Sequence, residues 1–379
     1  MLLSKNIWLL IIIQVSLLGC ASTEKKPPRL EKLISPTTEI NVFWKAKVGV
    51  SGNYRFVPAV DEKAVCAAGQ HGKINCFDLK SGKIIQQNQM SLNFSGGVGI
   101  TEQYLLLGTV NGEILAISRS DGDIEWRRMM SSQILGPAKS GGEIIVVRTG
   151  NGNIYGLSKA TGDLLWRYQT NQPALILRAN PSVAVDAEQN VAAGLTDGRL
   201  VFIDGVSGVL KWEVVVAQTS GTNELERISD IAGTPYMDNK MVCAIAYNGN
   251  VACYEKNSGK KIWSREASSS SNLAADGTNI YYTDDSDVVI ALEKLSGANL
   301  WKQGRLKGRN LTAPLEYKDW LIVGDSEGFI HVLLKSDGSL VGRVFLDKSG
   351  IKEPPLASQG YVFAQTMGGG IYSLSVTPK

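Results

Sequence analysis

The stretch Asn111-Gly112-Glu113-Ile114-Leu115-Ala116-Ile117-Ser118-Arg119-Ser120-Asp121-Gly122-Asp123-Ile124-Glu125-Trp126 carries a turn glycine, an apolar run, a second turn glycine ten residues on and a tryptophan fourteen on. The same internal spacing recurs at Gly152-Gly162-Trp166, Gly198-Gly208-Trp212 and Gly249-Gly259-Trp263. Four copies with one spacing are a repeat, not an accident of composition. Weaker copies flank them: Gly72-Gly82 with Gln86 in the Trp place, Asp287-Gly297-Trp301, and Gly328-Gly338 with Gly342 in the Trp place. An eighth begins at Gly369, and the sequence ends before its Trp.

The missing part lies at the other end, where Asn41-Val42-Phe43-Trp44-Lys45 reads as a Trp strand with no repeat start before it. If that strand completes the last unit, eight units close into a ring. The starts at 72, 112, 152, 198, 249, 287, 328 and 369 average about 42 residues apart, the period of a four-stranded propeller blade. Pairs such as Asn111-Gly112 and Asn151-Gly152 supply the positive φ a hairpin needs, and Asp121-Gly122 and Thr161-Gly162 supply a second turn. The expected fold is all-β: an eight-bladed β-propeller of four-stranded antiparallel blades over 41–379, closed by N- and C-terminal strands sharing one blade. Closure removes long free edges, and the repeated Trp is expected to pack between neighbouring blades.

Outward from the ring, the head of the chain is an address. Lys5 precedes an apolar run from Ile7 to Leu18 that is long enough for a signal peptide and too short to span a bilayer. Leu17-Leu18-Gly19-Cys20 resembles the lipobox of bacterial lipoproteins, which implies removal of residues 1–19 and a lipid, palmitate included, on Cys20. Ala21 and Ser22, with no Asp following the cysteine, imply the outer membrane, with the protein facing the periplasm. Residues 20–40, with Lys25, Lys26, Pro27 and Pro28, read as a flexible tether. The chain has 39 Lys and Arg against 36 Asp and Glu, so nucleic acid is not an expected partner. The 40 glycines, 12 Tyr and 8 Trp fit many turns and short strands.

Catalytic signals are absent. Two histidines, His71 and His331, cannot build a His-rich metal cluster, and no Gly-x-Ser-x-Gly elbow or phosphate-binding loop joins a strand to a helix. The repeat resembles that of quinoprotein dehydrogenases, which hold a quinone and calcium at the ring centre. Those enzymes carry adjacent cysteines and long enclosing insertions, and this chain has no Cys-Cys pair. The lipobox, the tether and one undecorated ring together resemble the BamB family, lipoproteins of the bacterial outer-membrane β-barrel assembly machinery. That resemblance implies a non-enzymatic scaffold without cofactor or metal, which binds the periplasmic domains of BamA, the central barrel protein, and assists unfolded outer-membrane protein clients. A quinone-dependent dehydrogenase relative and a periplasmic ligand-binding propeller are the alternatives.

Cys66, Cys76, Cys243 and Cys253 occupy equivalent places in two hairpins, six residues before and four after the turn Gly. A three-residue loop would face Cys66 with Cys76 and Cys243 with Cys253 for bridging in an oxidising compartment. A two-residue loop would point the thiols apart as small buried hydrophobes. The connections after Trp166 and Trp212 are long and consecutive. The first contains Leu175-Ile176-Leu177-Arg178, which reads either as the start of a buried strand or as an apolar anchor with a charged handle. The second contains an acidic, partly apolar segment, 223–230, that could form a short helix. The resemblance implies that Leu175, Leu177, Arg178 and Asp230 contact BamA; the family's second acid, two positions after the Asp, is replaced here by Ala232. Lys302, Arg305, Lys307 and Arg309 form a basic cluster on another connection, expected to be a solvated loop rather than a site for anionic lipid or a second partner.

Overall fold

The computed structural model describes residues 27–33, 36–171, 175–177, 182–218 and 228–379. Their strands form eight four-stranded antiparallel sheets, and each is a blade. Blades 1 to 7 are continuous meanders over residues 59–89, 94–129, 139–168, 184–215, 236–267, 274–303 and 315–345. Blade 8 takes Leu356–Ser358, Tyr361–Gln365 and Gly370–Pro378 from the C-terminal end and its outermost strand, Thr38–Lys47, from the N-terminal end. The closing pair runs from Thr38 opposite Pro378 to Lys47 opposite Gly370, with a bulge between Val42 and Trp44. The strand begins three residues before the expected tether boundary, because Thr38 to Ile40 already pair with Val376 to Pro378.

Middle strands such as Ala64–Ala68 and Ile144–Arg148 are buried along their whole length. They read as continuous apolar runs because both faces of every blade are covered by its neighbours. The apolar core accordingly divides into eight clusters, one at each junction between blades. Leu106, Ala116 and Trp126 of blade 2 meet Ile145, Val147 and Leu157 of blade 3 in one of them. Val65 and Phe77 of blade 1 meet Phe363 and Ile371 of blade 8 in the cluster that closes the ring.

The tryptophans act at these junctions. The indole Nε1–H of Trp126 donates to the Lys159 carbonyl at 3.1 Å, Trp212 to Lys256 at 2.7 Å, Trp263 to Lys294 at 2.8 Å and Trp301 to Lys335 at 2.8 Å, each in the next blade. Trp44 bonds the Leu79 carbonyl of blade 1 in the same way, so the N-terminal strand supplies the eighth unit's missing tryptophan. The acceptor lies three residues before the second turn glycine, whose bare backbone receives the indole face. At Gly208 (φ 74°) a Cβ would press into Trp166, so both the backbone angle and the contact require glycine.

Both departures from the repeat have a physical reason. Gln86 replaces the ring with an amide that donates to the Ser118 carbonyl at 3.0 Å, while Asn88 bonds Gly122. The junction keeps its hydrogen bond and loses only apolar area. Gly342 faces blade 8, whose outer strand comes from the other end of the chain, so no third-to-fourth turn exists there for an indole to cover. Thr38 passes over instead, donating to the Val341 carbonyl at 2.8 Å, and any Cβ at Gly342 would collide with its hydroxyl.

Candidate functional site

Connections from each outer strand to the next blade emerge on one face of the ring, together with the hairpins between second and third strands. We call it the connection face. Leu175 to Leu177 lie here between blades 3 and 4 as irregular chain, so the buried-strand reading is not what forms. Leu175 is 46% exposed. Arg178 and residues 223–227 of the acidic segment lie outside the described residues, and 228–230 are not helical.

Asp230 stands differently from the exposed loop it was grouped with. It is only 2% exposed, and its Oδ2 accepts the Leu177 backbone N–H at 2.6 Å. Its own backbone carbonyl accepts the Tyr247 N–H of the blade 5 hairpin at 2.9 Å. The residue thus ties the loop between blades 3 and 4 to the connection between blades 4 and 5. Burial pushes the carboxyl up to about 6, against the Leu177 N–H and the positive charge of Arg148, with Asp197 adding repulsion.

Arg148 was not singled out in the sequence. It ends the second strand of blade 3, is itself buried, and has its guanidinium pushed down to about 10 by desolvation, relieved only by Asp230. Its Nε and Nη1, and Asp230 Oδ1, lack hydrogen-bond partners among the described residues. Two opposite charges therefore sit under an exposed leucine with unused hydrogen-bonding capacity. The signal was an arginine closing the otherwise apolar run Ile144-Ile145-Val146-Val147.

Near the ring axis the same face opens into a cavity of about 430 Å³ lined by Arg55, Ser269, Asp284, Asp285, Asp287 and Asn310 among others. Its carboxylates are committed to its own loops: Asp287 takes the N–H groups of Asn310 and Leu311 at 2.9 and 2.7 Å, and Asp284 those of Ser286 and Val288. Among the described residues no aromatic side chain lines it for a quinone to stack on, and carboxylates already occupied by their own loops make a poor calcium cage. The residues do not fit the quinone and calcium that this kind of ring holds in its enzymes. Among the described residues no cluster of His, Cys, Asp and Glu could hold a metal ion.

The two cysteine pairs stand directly opposite in their hairpins, Cys66 with Cys76 and Cys243 with Cys253, with Cα–Cα distances of 4.0 and 4.1 Å and the sulfurs joined. The blade 1 loop has three residues, 70–72, closed by the Gly69 N–H to the Lys73 carbonyl. All four cysteines are buried, away from any site. The basic cluster departs from the solvated-loop expectation. Arg309 is buried, its Nε bonding Asp325 Oδ2 at 2.6 Å, and Arg305 pairs with Glu31 of the tether at 2.6 Å.

Comparison with known proteins places this geometry. A family model described as outer membrane protein assembly factor BamB matches residues 70–303 and 287–377. The chain belongs to the BamB family. The BamB of Kangiella koreensis is 37% identical over 98% of this chain and 96% of its own. That of Bordetella pertussis is 33% identical over 96% and 94%, and that of Escherichia coli 35% over 92% and 91%. The crystal structure of BamB from Moraxella catarrhalis superposes with a TM-score of 0.81 at 25% identity, covering 89% of this chain and all of that one. A quinohemoprotein alcohol dehydrogenase from Comamonas testosteroni matches at 0.70 with 11% identity, covering 88% of this chain and 76% of its own, which is a likeness of fold alone.

Proposed function

We propose that this chain is a non-enzymatic scaffold of the outer-membrane β-barrel assembly machinery. In this reading a lipid on Cys20 holds it at the periplasmic face of the outer membrane. The loop Leu175 to Arg178 engages the periplasmic domains of BamA, and that engagement assists the folding and insertion of outer-membrane clients. The observation that carries the reading is the exposed Leu175 on a loop held by the buried Asp230. An apolar anchor fixed before binding loses little entropy on docking. Asp230 then acts by holding the loop in place rather than by touching the partner. The carboxylates of the axial cavity, already spent on its loops, support the scaffold over a quinone enzyme.

The test is co-purification from detergent-solubilised envelope. The native chain is expected to bring BamA with it, and Leu175→Ala and Arg178→Ala each to reduce the yield about tenfold, the scale of one hot-spot residue. A native chain that captures no assembly component would refute the scaffold. Capture unaffected by either substitution would move the contact elsewhere on the ring.

A further inference from the structure

Residues 28–31 precede the closing strand and lie against the ring. Leu30 packs on the core between blades 6 and 7, beside residues such as Leu306 and Leu333. The Pro28 carbonyl accepts Arg309 Nη1 at 2.8 Å, the Glu31 carbonyl accepts Arg343 Nη1 at 3.0 Å, and the Glu31 carboxylate accepts Arg305 Nε at 2.8 Å. The arginines are held ready for this. Arg309 is fixed by Asp325, Asp325 also meets His331 Nε2 at 2.8 Å, and Arg343 Nε donates to His331 Nδ1 at 3.1 Å. That last bond makes Nδ1 an acceptor and His331 a neutral Nε2–H tautomer, in keeping with the burial that lowers its pKa.

The placement matters because of where the closing strand starts. Thr38 lies at the Pro378 end of blade 8, on the face opposite the connections. Arg305 and Arg309 belong to the connection between blades 6 and 7, and Asp325 to the hairpin of blade 7, all on the connection face. Between Pro28 and Thr38 the chain therefore crosses from one face of the ring to the other.

We propose that residues 28–31 are a docked strap. It moves the exit of the N-terminal segment from the Thr38 face to the face that carries Leu175 and Asp230. Its membrane consequence rests on the reading of Cys20 as lipidated. Eight residue-to-residue steps lead from Cys20 to Pro28 and reach at most ~28 Å, against ~63 Å for the eighteen steps from Cys20 to Thr38. Anchor and partner loops would then address the same side of the ring at short range, which raises the effective concentration of partners at the membrane. Arg305 and Arg309 of the basic cluster thus serve this chain's own segment rather than anionic lipid.

The experiment uses the full-length chain purified in detergent. Trypsin cleavage after Arg29 and Lys32 is followed by mass spectrometry, and spin labels at Arg29→Cys and His71→Cys, the latter on a connection-face hairpin, report a distance. Cleavage is expected to be slow in the native chain and about tenfold faster in Leu30→Asp and in Arg305→Glu, as local opening becomes easy. The spin-label distance should be narrow in the native background and broad in either variant. An unchanged melting temperature shows that the ring itself is intact in both. Native cleavage as fast as in Leu30→Asp, or a broad native distance, would overturn the strap. The mass of the N-terminal peptide reports the lipid separately, so loss of the anchor and loss of the strap appear in different measurements.

Discussion

At the scale of single residues, Asp230 shows how a buried carboxylate that holds a loop conflicts with stability. Its carboxyl is raised to about 6 from an ordinary 3.8. Between those values the native state holds a proton that the unfolded chain has released. The contribution of this group to stability therefore falls as pH rises through that window, and the cost is fully present above pH 6. Asp230→Asn keeps an oxygen for the Leu177 N–H and removes the charge. It is expected to stabilise the ring by about 1–2 kcal/mol at pH 7.5, with the gain shrinking toward pH 4; urea unfolding at the two pH values measures it. A native-like stability at pH 7.5 would mean that the charge is compensated after all.

At the scale of elements, blades 5, 6 and 7 are each fastened to the one before by a lysine that works twice. Lys256 accepts the Trp212 indole on its carbonyl, and its ammonium pairs with Asp186 of blade 4 at 2.7 Å. Lys294 does the same with Trp263 and Asp238, and Lys335 with Trp301 and Asp276. Burial alone would lower the Lys256 pKa, but the hydrogen bond and charge of Asp186, then of Glu188, hold it above the ordinary value. Asp186 is correspondingly held below its own value, burial being overcome by the bonds from Lys256 and from the Asn190 side chain and backbone N–H. This contribution is present above the unfolded carboxylate range and is lost as pH falls through the depressed folded value. Lys256→Ala is expected to cost about 3 kcal/mol by leaving the partly buried Asp186 without its counter-charge, and Lys256→Met with Asp186→Leu to recover most of it. Chemical denaturation of the three chains checks this, and equal losses in the single and double variants would argue against the pair.

The hairpin cysteines make a separate prediction at this scale. Each bond closes a loop of ten residues, a constraint on the unfolded chain worth about 2–3 kcal/mol. Reductant should lower the melting temperature, and the unfolded chain should bind a thiol label only after reduction. Labelling without reductant would show free thiols.

Much of this was legible. The Gly-Gly-Trp spacing gives the blade count, and the orphan Trp44 strand gives the closure, because both belong to one periodic pattern that most units repeat. The lysines three residues before the second glycine also recur, yet their partners do not show in sequence. Asp186, Asp238 and Asp276 each lie in the preceding blade, and which turns come together is set only once the ring closes. Arg148 was hidden for the same reason, since its counter-charge lies 82 residues away. The prolines and charges of residues 20–40 read as a flexible tether. Composition does not reveal that Leu30 finds an apolar seam and that three arginines await its neighbours.

At the scale of the whole molecule, closure by the two ends separates what holds the ring from what aims it. Thr38–Lys47 completes blade 8, and its Trp44 completes the junction to blade 1 against Phe77 and Phe363. Without it, Gly370–Pro378 would become a bare edge strand beside a cluster open to water. Residues 27–33 add no strand. Deleting them should leave the unfolding transition single and its midpoint within about 1 °C, the effect of a few tenths of a kcal/mol on a domain this size. Deleting through Lys47 should broaden the transition, expose apolar surface to dye and promote association through the open edge. Trp44→Ala lies between the two: the strand still pairs, but the loss of its indole should cost about 3–5 kcal/mol. Thermal and urea melts of the three proteins decide the matter. If removing 27–33 destabilises the ring as much as removing the strand, the strap is part of the fold rather than a device that sets where the chain leaves it.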